Sequence, residues 1–110
     1  MPFRNFPTDG AAPLASLINV RPGQVSSRGF TRVGDPVGIT LLAFAEGESV
    51  AEERYPGDTV YYLVEGETEI TLPDRSVIMR AGDAFCVSAG VDHAIEPKTA
   101  IKILQITLQS

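Results

Sequence analysis

Thr59-Val-Tyr-Tyr-Leu-Val-Glu-Gly66-Glu-Thr-Glu-Ile-Thr-Leu-Pro-Asp-Arg75 decides how this chain folds. Within it, Glu67–Leu72 alternates strictly. Thr68, Ile70 and Leu72 take one face of a strand, and Glu67, Glu69 and Thr71 take the other. Leu72-Pro-Asp-Arg75 reads as a turn, with Pro73 presetting φ at its second position. The preceding run, Thr59–Val64, is apolar on both faces. A strand covered on both sides in a small chain implies two packed sheets or a subunit partner. Tyr61 and Tyr62 are adjacent and so point to opposite faces. If Thr59 faces the interior, Tyr61 and Leu63 do too, and Tyr62 becomes a packing residue on the far side.

The same texture extends outward. Ile39–Phe44 is again apolar on both faces, and Lys98–Leu108 carries Thr99, Ile101, Ile103, Ile106 and Thr107, β-branched residues suited to a pleated surface. The apolar phase of that last run switches at Ile103–Leu104, which predicts a strand buried on both faces or bulged. Further strands are predicted over Leu14–Val20, Val25–Val33, Val50–Tyr55, Ser76–Arg80, Ala84–Ser88 and Asp92–Glu96. Nine or ten short strands make an all-β sandwich or barrel. Residues 1–13 form a loosely held N-terminal arm and residues 14–110 a single domain.

Composition sets the other limits. Ten Gly and eight Pro in 110 residues break the chain into segments too short for typical helices. One cysteine, Cys86, excludes a disulfide framework, and it is expected to be a buried, inert thiol. One histidine, His93, excludes any site that needs two from a single chain. A net charge of −5 with scattered Arg and Lys argues against nucleic acid. No apolar run reaches the ~18 residues of a membrane span, and no signal-like segment opens the chain, so the expected location is cytoplasmic. Neither a phosphate-binding glycine loop nor a serine nucleophile elbow is present. Eight acids, from Glu46 to Glu69, fall within 24 residues offset only by Arg54. Most of them read as a solvated face, with one or two free to turn inward.

From Gly47 to Pro97 the chain follows a plan: Gly47, a turn-rich stretch, Tyr62-Leu-Val-Glu-Gly66-Glu with its alternating strand, Ala81-Gly-Asp83, an apolar strand, and Ser88-Ala-Gly-Val-Asp-His93. This plan resembles the cupin family. The resemblance implies a double-stranded β-helix, the jelly-roll barrel, over residues 14–110. It also implies a metal site, which this chain fills poorly. The two His slots of the first motif hold Glu53 and Tyr55, and the Glu slot holds Thr59. In the second motif Ser88 stands in the Pro slot, His93 matches, and Pro97 replaces the final Asn. A three-His, one-carboxylate set and a two-His, one-carboxylate triad are both out of reach.

The expected site is therefore a pocket lined by Glu53, Tyr55, Thr59, Tyr61 and His93. It binds a small molecule with no cofactor and no tightly bound transition metal. Were a hard divalent ion to bind, Glu53, Asp58 and His93 would be its ligands. The alternative function is a divergent metal-dependent cupin enzyme of isomerase or oxygenase type, and a third is a structural scaffold. Strands apolar on both faces, together with the resemblance, also predict a homodimer, with Leu14–Val20 as the segment that crosses over.

Overall fold

A computed structural model describes residues 2–109. Eight strands are formed: β1 (Val25–Gly29), β2 (Val37–Phe44), β3 (Thr59–Glu65), β4 (Glu67–Thr71), β5 (Ser76–Arg80), β6 (Ala84–Val87), β7 (Ala94–Pro97) and β8 (Ile101–Leu108). They build a five-stranded sheet in the order β1-β2-β8-β3-β6 and a three-stranded sheet in the order β5-β4-β7, with every pairing antiparallel. The expected all-β architecture is the one observed.

The alternation read in Thr59–Leu72 fixes which side chains meet between the sheets. Tyr61 and Leu63 on β3, Ile70 on β4, Ile101 and Ile103 on β8, Phe44 on β2 and Met79 on β5 are all at most 1% exposed and pack as one cluster. Gly66 joins β3 to β4 at φ 88°, and a Cβ there would run into the Ala100 carbonyl. The corner therefore needs both the left-handed backbone and the missing side chain. The other glycines of the plan, Gly47, Gly82 and Gly90, also have positive φ.

A second cluster covers the outer face of the five-stranded sheet. Ile18 and Phe30 lie over Leu41 and Ala43 of β2, with Phe6, Leu14, Leu17, Leu104 and Val64 packed around them. The segment predicted as a strand over Leu14–Val20 is instead a 3-10 turn, Leu14–Leu17, that packs on its own chain. Pro13 enters it at φ −59°, and Ser16 closes it by donating both N–H and Oγ–H to the Pro13 carbonyl. The turn sets Leu14 and Leu17 on one side. The arm is docked as well. Phe6 stacks on Phe30 at 3.9 Å between centroids, Arg4 N–H donates to the Phe30 carbonyl, and Arg28 donates to the carbonyls of Leu17 and Asn5.

Three further expectations change. Val50–Tyr55 forms no strand and pairs only through a single bridge, Glu53 to His93. Val50 packs on the core while Pro56, which lacks a donor, prevents the ladder from continuing. Cys86 is exposed, because β6 is an edge strand whose inward positions belong to Phe85 and Val87. Tyr62 stands 40% exposed on the same outer face. The phase switch in the last strand is explained by burial on both faces of β8. The irregularity in its pairing falls on β3, between Leu63 and Glu65.

Candidate functional site

The histidine is held from both ends of its ring. β7 begins just after His93, and the Val91 carbonyl lies 3.1 Å from Nδ1. A carbonyl can only accept, so Nδ1 carries the proton. In the neutral ring, Nε2 is then an acceptor, and the Tyr61 hydroxyl donates to it at 2.8 Å. His93 is 2% exposed and Tyr61 1%. The Tyr55 ring flanks the imidazole on another side, at 5.9 Å between centroids.

A loop without a ladder still needs to be placed, and here the stitching is dense. Glu53 and His93 exchange both backbone hydrogen bonds, at 2.7 and 2.9 Å. Gly90 N–H donates to the Tyr55 carbonyl. Between them, the Arg54 guanidinium grips Asp92 through two hydrogen bonds, at 2.6 and 2.9 Å. The Arg54 hydrogen bonds hold the Asp92 carboxyl below its ordinary pKa. Glu53, Arg54 and Tyr55 are thereby fixed against Gly90–His93, and Glu53 and Tyr55 face inward.

Burial shifts two groups of the cluster, Tyr61 and Glu53. Burial, with the charge of Glu53 second, pushes the Tyr61 hydroxyl far above the ordinary phenol range, so it stays a donor at neutral pH. Burial also raises Glu53, an effect that His93 partly opposes. Two neighbouring spaces open from this cluster. One is a recess bounded by Glu53, Tyr61, His93 and Ile95, too tight to admit a water molecule. The other is a cleft of about 370 Å³ with apolar walls from Val25, Leu42, Phe44, Val50 and Ile95. Ser27, Thr40, Tyr55, Gln105 and Glu53 supply its polar groups.

Of the five expected pocket residues, Glu53, Tyr61 and His93 meet around the recess, and Glu53 and Tyr55 line the cleft. Thr59 does neither. It is 1% exposed, and its hydroxyl donates to Thr107 Oγ1 at 3.2 Å. Thr40 and Gln105 were missed, although Gln105 left a signal: it is a polar residue at an inward position of β8 between Ile103 and Thr107. Cross-strand pairing of Thr40 with Gln105 and of Gln105 with Tyr61 puts all three in one row.

The residues do not fit the metal that the resemblance implies. The slots hold Glu53, Tyr55 and Thr59, and the one His93 lone pair that could face a metal already accepts the Tyr61 proton. The hard-ion set of Glu53, Asp58 and His93 does not assemble either. Asp58 accepts the Ala89 N–H at 2.8 Å, and among the described residues no three of His, Cys, Asp and Glu group closely enough to hold an ion.

Comparison with known proteins agrees with the fold just described. No curated protein matches the chain. A cupin superfamily protein from Desulfitobacterium hafniense is 43% identical over the whole of both chains, with a TM-score of 0.96. A conserved protein of unknown function from Streptococcus pyogenes is 21% identical, covering 100% of this chain and 96% of its own, with a TM-score of 0.93. Salicylate 1,2-dioxygenase from Pseudoaminobacter salicylatoxidans is 18% identical over 80% of this chain and 26% of its own, with a TM-score of 0.70, a likeness of fold alone. The sequence profile of the cupin domain matches residues 40–106, and with that match and the 43% identity the chain belongs to the cupin family.

Proposed function

We propose that this cupin binds a small organic molecule in the cleft above Glu53, without a tightly held transition metal. The observation that carries the reading is a cleft of about 370 Å³ with apolar walls and a few polar groups, Glu53, Tyr55 and Gln105 among them. That is the usual make-up of a small-molecule site. Behind it, Tyr61 and His93 are held by their own hydrogen bonds, which suits shaping a binding site. The second reading, a divalent-metal enzyme, has no three-ligand group to support it among the described residues. The test is an ¹⁵N-labelled protein screened with small neutral metabolites, together with elemental analysis of protein purified without added metal. Amide shifts gathered on Thr40, Glu53, Tyr55 and Gln105 with substoichiometric metal support the reading. Stoichiometric Zn, Fe or Mn surviving dialysis overturns it.

Association as a homodimer is part of the same proposal. On the outer face, the N-terminal segment covers β2 but leaves Tyr62, Ala84 and Cys86 of β3 and β6 exposed beside half-buried Val60. A second copy on this strip would hide it. Light scattering at micromolar concentration is expected to give about twice the 11.8 kDa chain mass, and the single-chain mass removes the dimer. The acidic balance of −5 supports neither nucleic acid nor an anionic membrane as partner, and no helix among the described residues is long and apolar enough to cross a bilayer. An exposed free thiol supports a reducing, cytoplasmic setting.

A further inference from the structure

The cleft carries one ionisable acid and no countercharge. Glu53 is the only carboxyl on its wall, and among the described residues no Arg, Lys or His lines it. The nearby cations are engaged elsewhere. Arg54 is fixed on Asp92, and Lys102 points to the opposite face of the sheet, where it donates to the Ala15 carbonyl. His93, behind Glu53, uses both ring nitrogens inside the protein. A carboxylate ligand entering here would face Glu53 with no cation on the cleft wall to offset the repulsion, inside a half-buried space where such repulsion is poorly screened. A ligand with a donor would instead complete Glu53, as a charge-assisted hydrogen bond. The walls set the other half of the requirement, because Val25, Leu42 and Phe44 gain only from an apolar body.

Resting on the binding reading above, we infer that the cleft selects a small amphiphile whose amine or alcohol group sits on Glu53 and that it rejects carboxylic acids. The raised pKa of Glu53 agrees, since burial leaves its charge short of partners. Three probes of one shape test this: benzylamine, benzyl alcohol and benzoate, each titrated into the ¹⁵N-labelled full chain at neutral pH. Benzylamine is expected to move the amides of Glu53, Tyr55 and Gln105 most, benzyl alcohol less, and benzoate not at all. In Glu53→Gln, benzylamine should weaken about tenfold, because its hydrogen bond loses the carboxylate charge. Benzyl alcohol should bind as before, because Gln still offers an acceptor. Benzoate shifting Tyr55 and Gln105 as strongly as benzylamine overturns the inference and leaves the binding reading standing. That arm uses the unaltered chain and does not depend on the variant folding. Benzylamine affinity unchanged by Glu53→Gln likewise overturns the inference alone. Silence from all three probes at these amides overturns the inference and the binding reading together.

Discussion

The two faces of the five-stranded sheet are both apolar, yet they are buried by different means. Inside, β3 and β8 meet side chains from the opposite sheet, strand against strand, and Leu63, Ile70 and Ile103 reach zero exposure. Outside, the cover is an irregular segment, a 3-10 turn with a docked arm, that reaches β2 and β8 and stops short of β6. The regular cover closes over β3 and the Ile101–Ile103 part of β8, while the irregular one does not reach β6. Burial by a paired sheet is shared among many ladder hydrogen bonds. Burial by a loop depends on a few anchors, here the Phe6–Phe30 stack and the Arg28 hydrogen bonds.

The largest effect that separates the two faces is expected inside. Ile103→Ala should cost about 2–5 kcal/mol, the range for a buried branched side chain replaced by a cavity, read as a lower urea midpoint. Outside, Phe6→Ala should cost about 1 kcal/mol, the worth of an aromatic stack on a half-buried ring. A Phe6 loss equal to the Ile103 loss would show that the arm is integral to the core, and the distinction between the faces would fail.

Tyr61→Phe sharpens the comparison at the polar end of the interior. It removes the donor to His93 Nε2 and leaves the ring in place, so about 0.5–1.5 kcal/mol should be lost. The imidazole ¹⁵N shifts should move with it. Unmoved shifts would mean that the hydroxyl does not set the state of the ring.

The smallest effect is that of pH on Glu53. Burial raises its pKa above the ordinary 4.5, so the folded chain binds this proton more tightly than the unfolded chain does. Its contribution to stability therefore falls as pH rises from 4.5 through the folded value and stays low above it. Glu53→Gln should become more stable relative to the unaltered protein across that window and hold the advantage at neutral pH. A constant difference at every pH would show that the carboxyl is solvated like any surface acid.

Much of this was legible because strand alternation is local. Period-two patterning placed Thr68, Ile70 and Leu72 inward without reference to any partner, and the glycine corner at Gly66 followed from its place between two strands. Glu53, Tyr55 and His93 could be named together only through the spacing of the cupin plan. Leu14–Val20 misled because its apolar residues suit a strand and a short turn equally, and Pro13 with Ser16 decided between them. Cys86 misled because an edge position depends on sheet order, which one strand does not state.

The amino-acid sequence by itself determined an all-β chain, its principal inward faces and the poverty of its metal donors, since each follows from residue type and spacing along one segment. Only the tertiary structure decided that Thr59 turns to Thr107 and away from the cleft, that Thr40 and Gln105 join it, and that His93 spends both nitrogens on Val91 and Tyr61. These outcomes depend on which strands are neighbours and in what register, and hydrogen bonds between residues 30 or more positions apart form only once that packing exists.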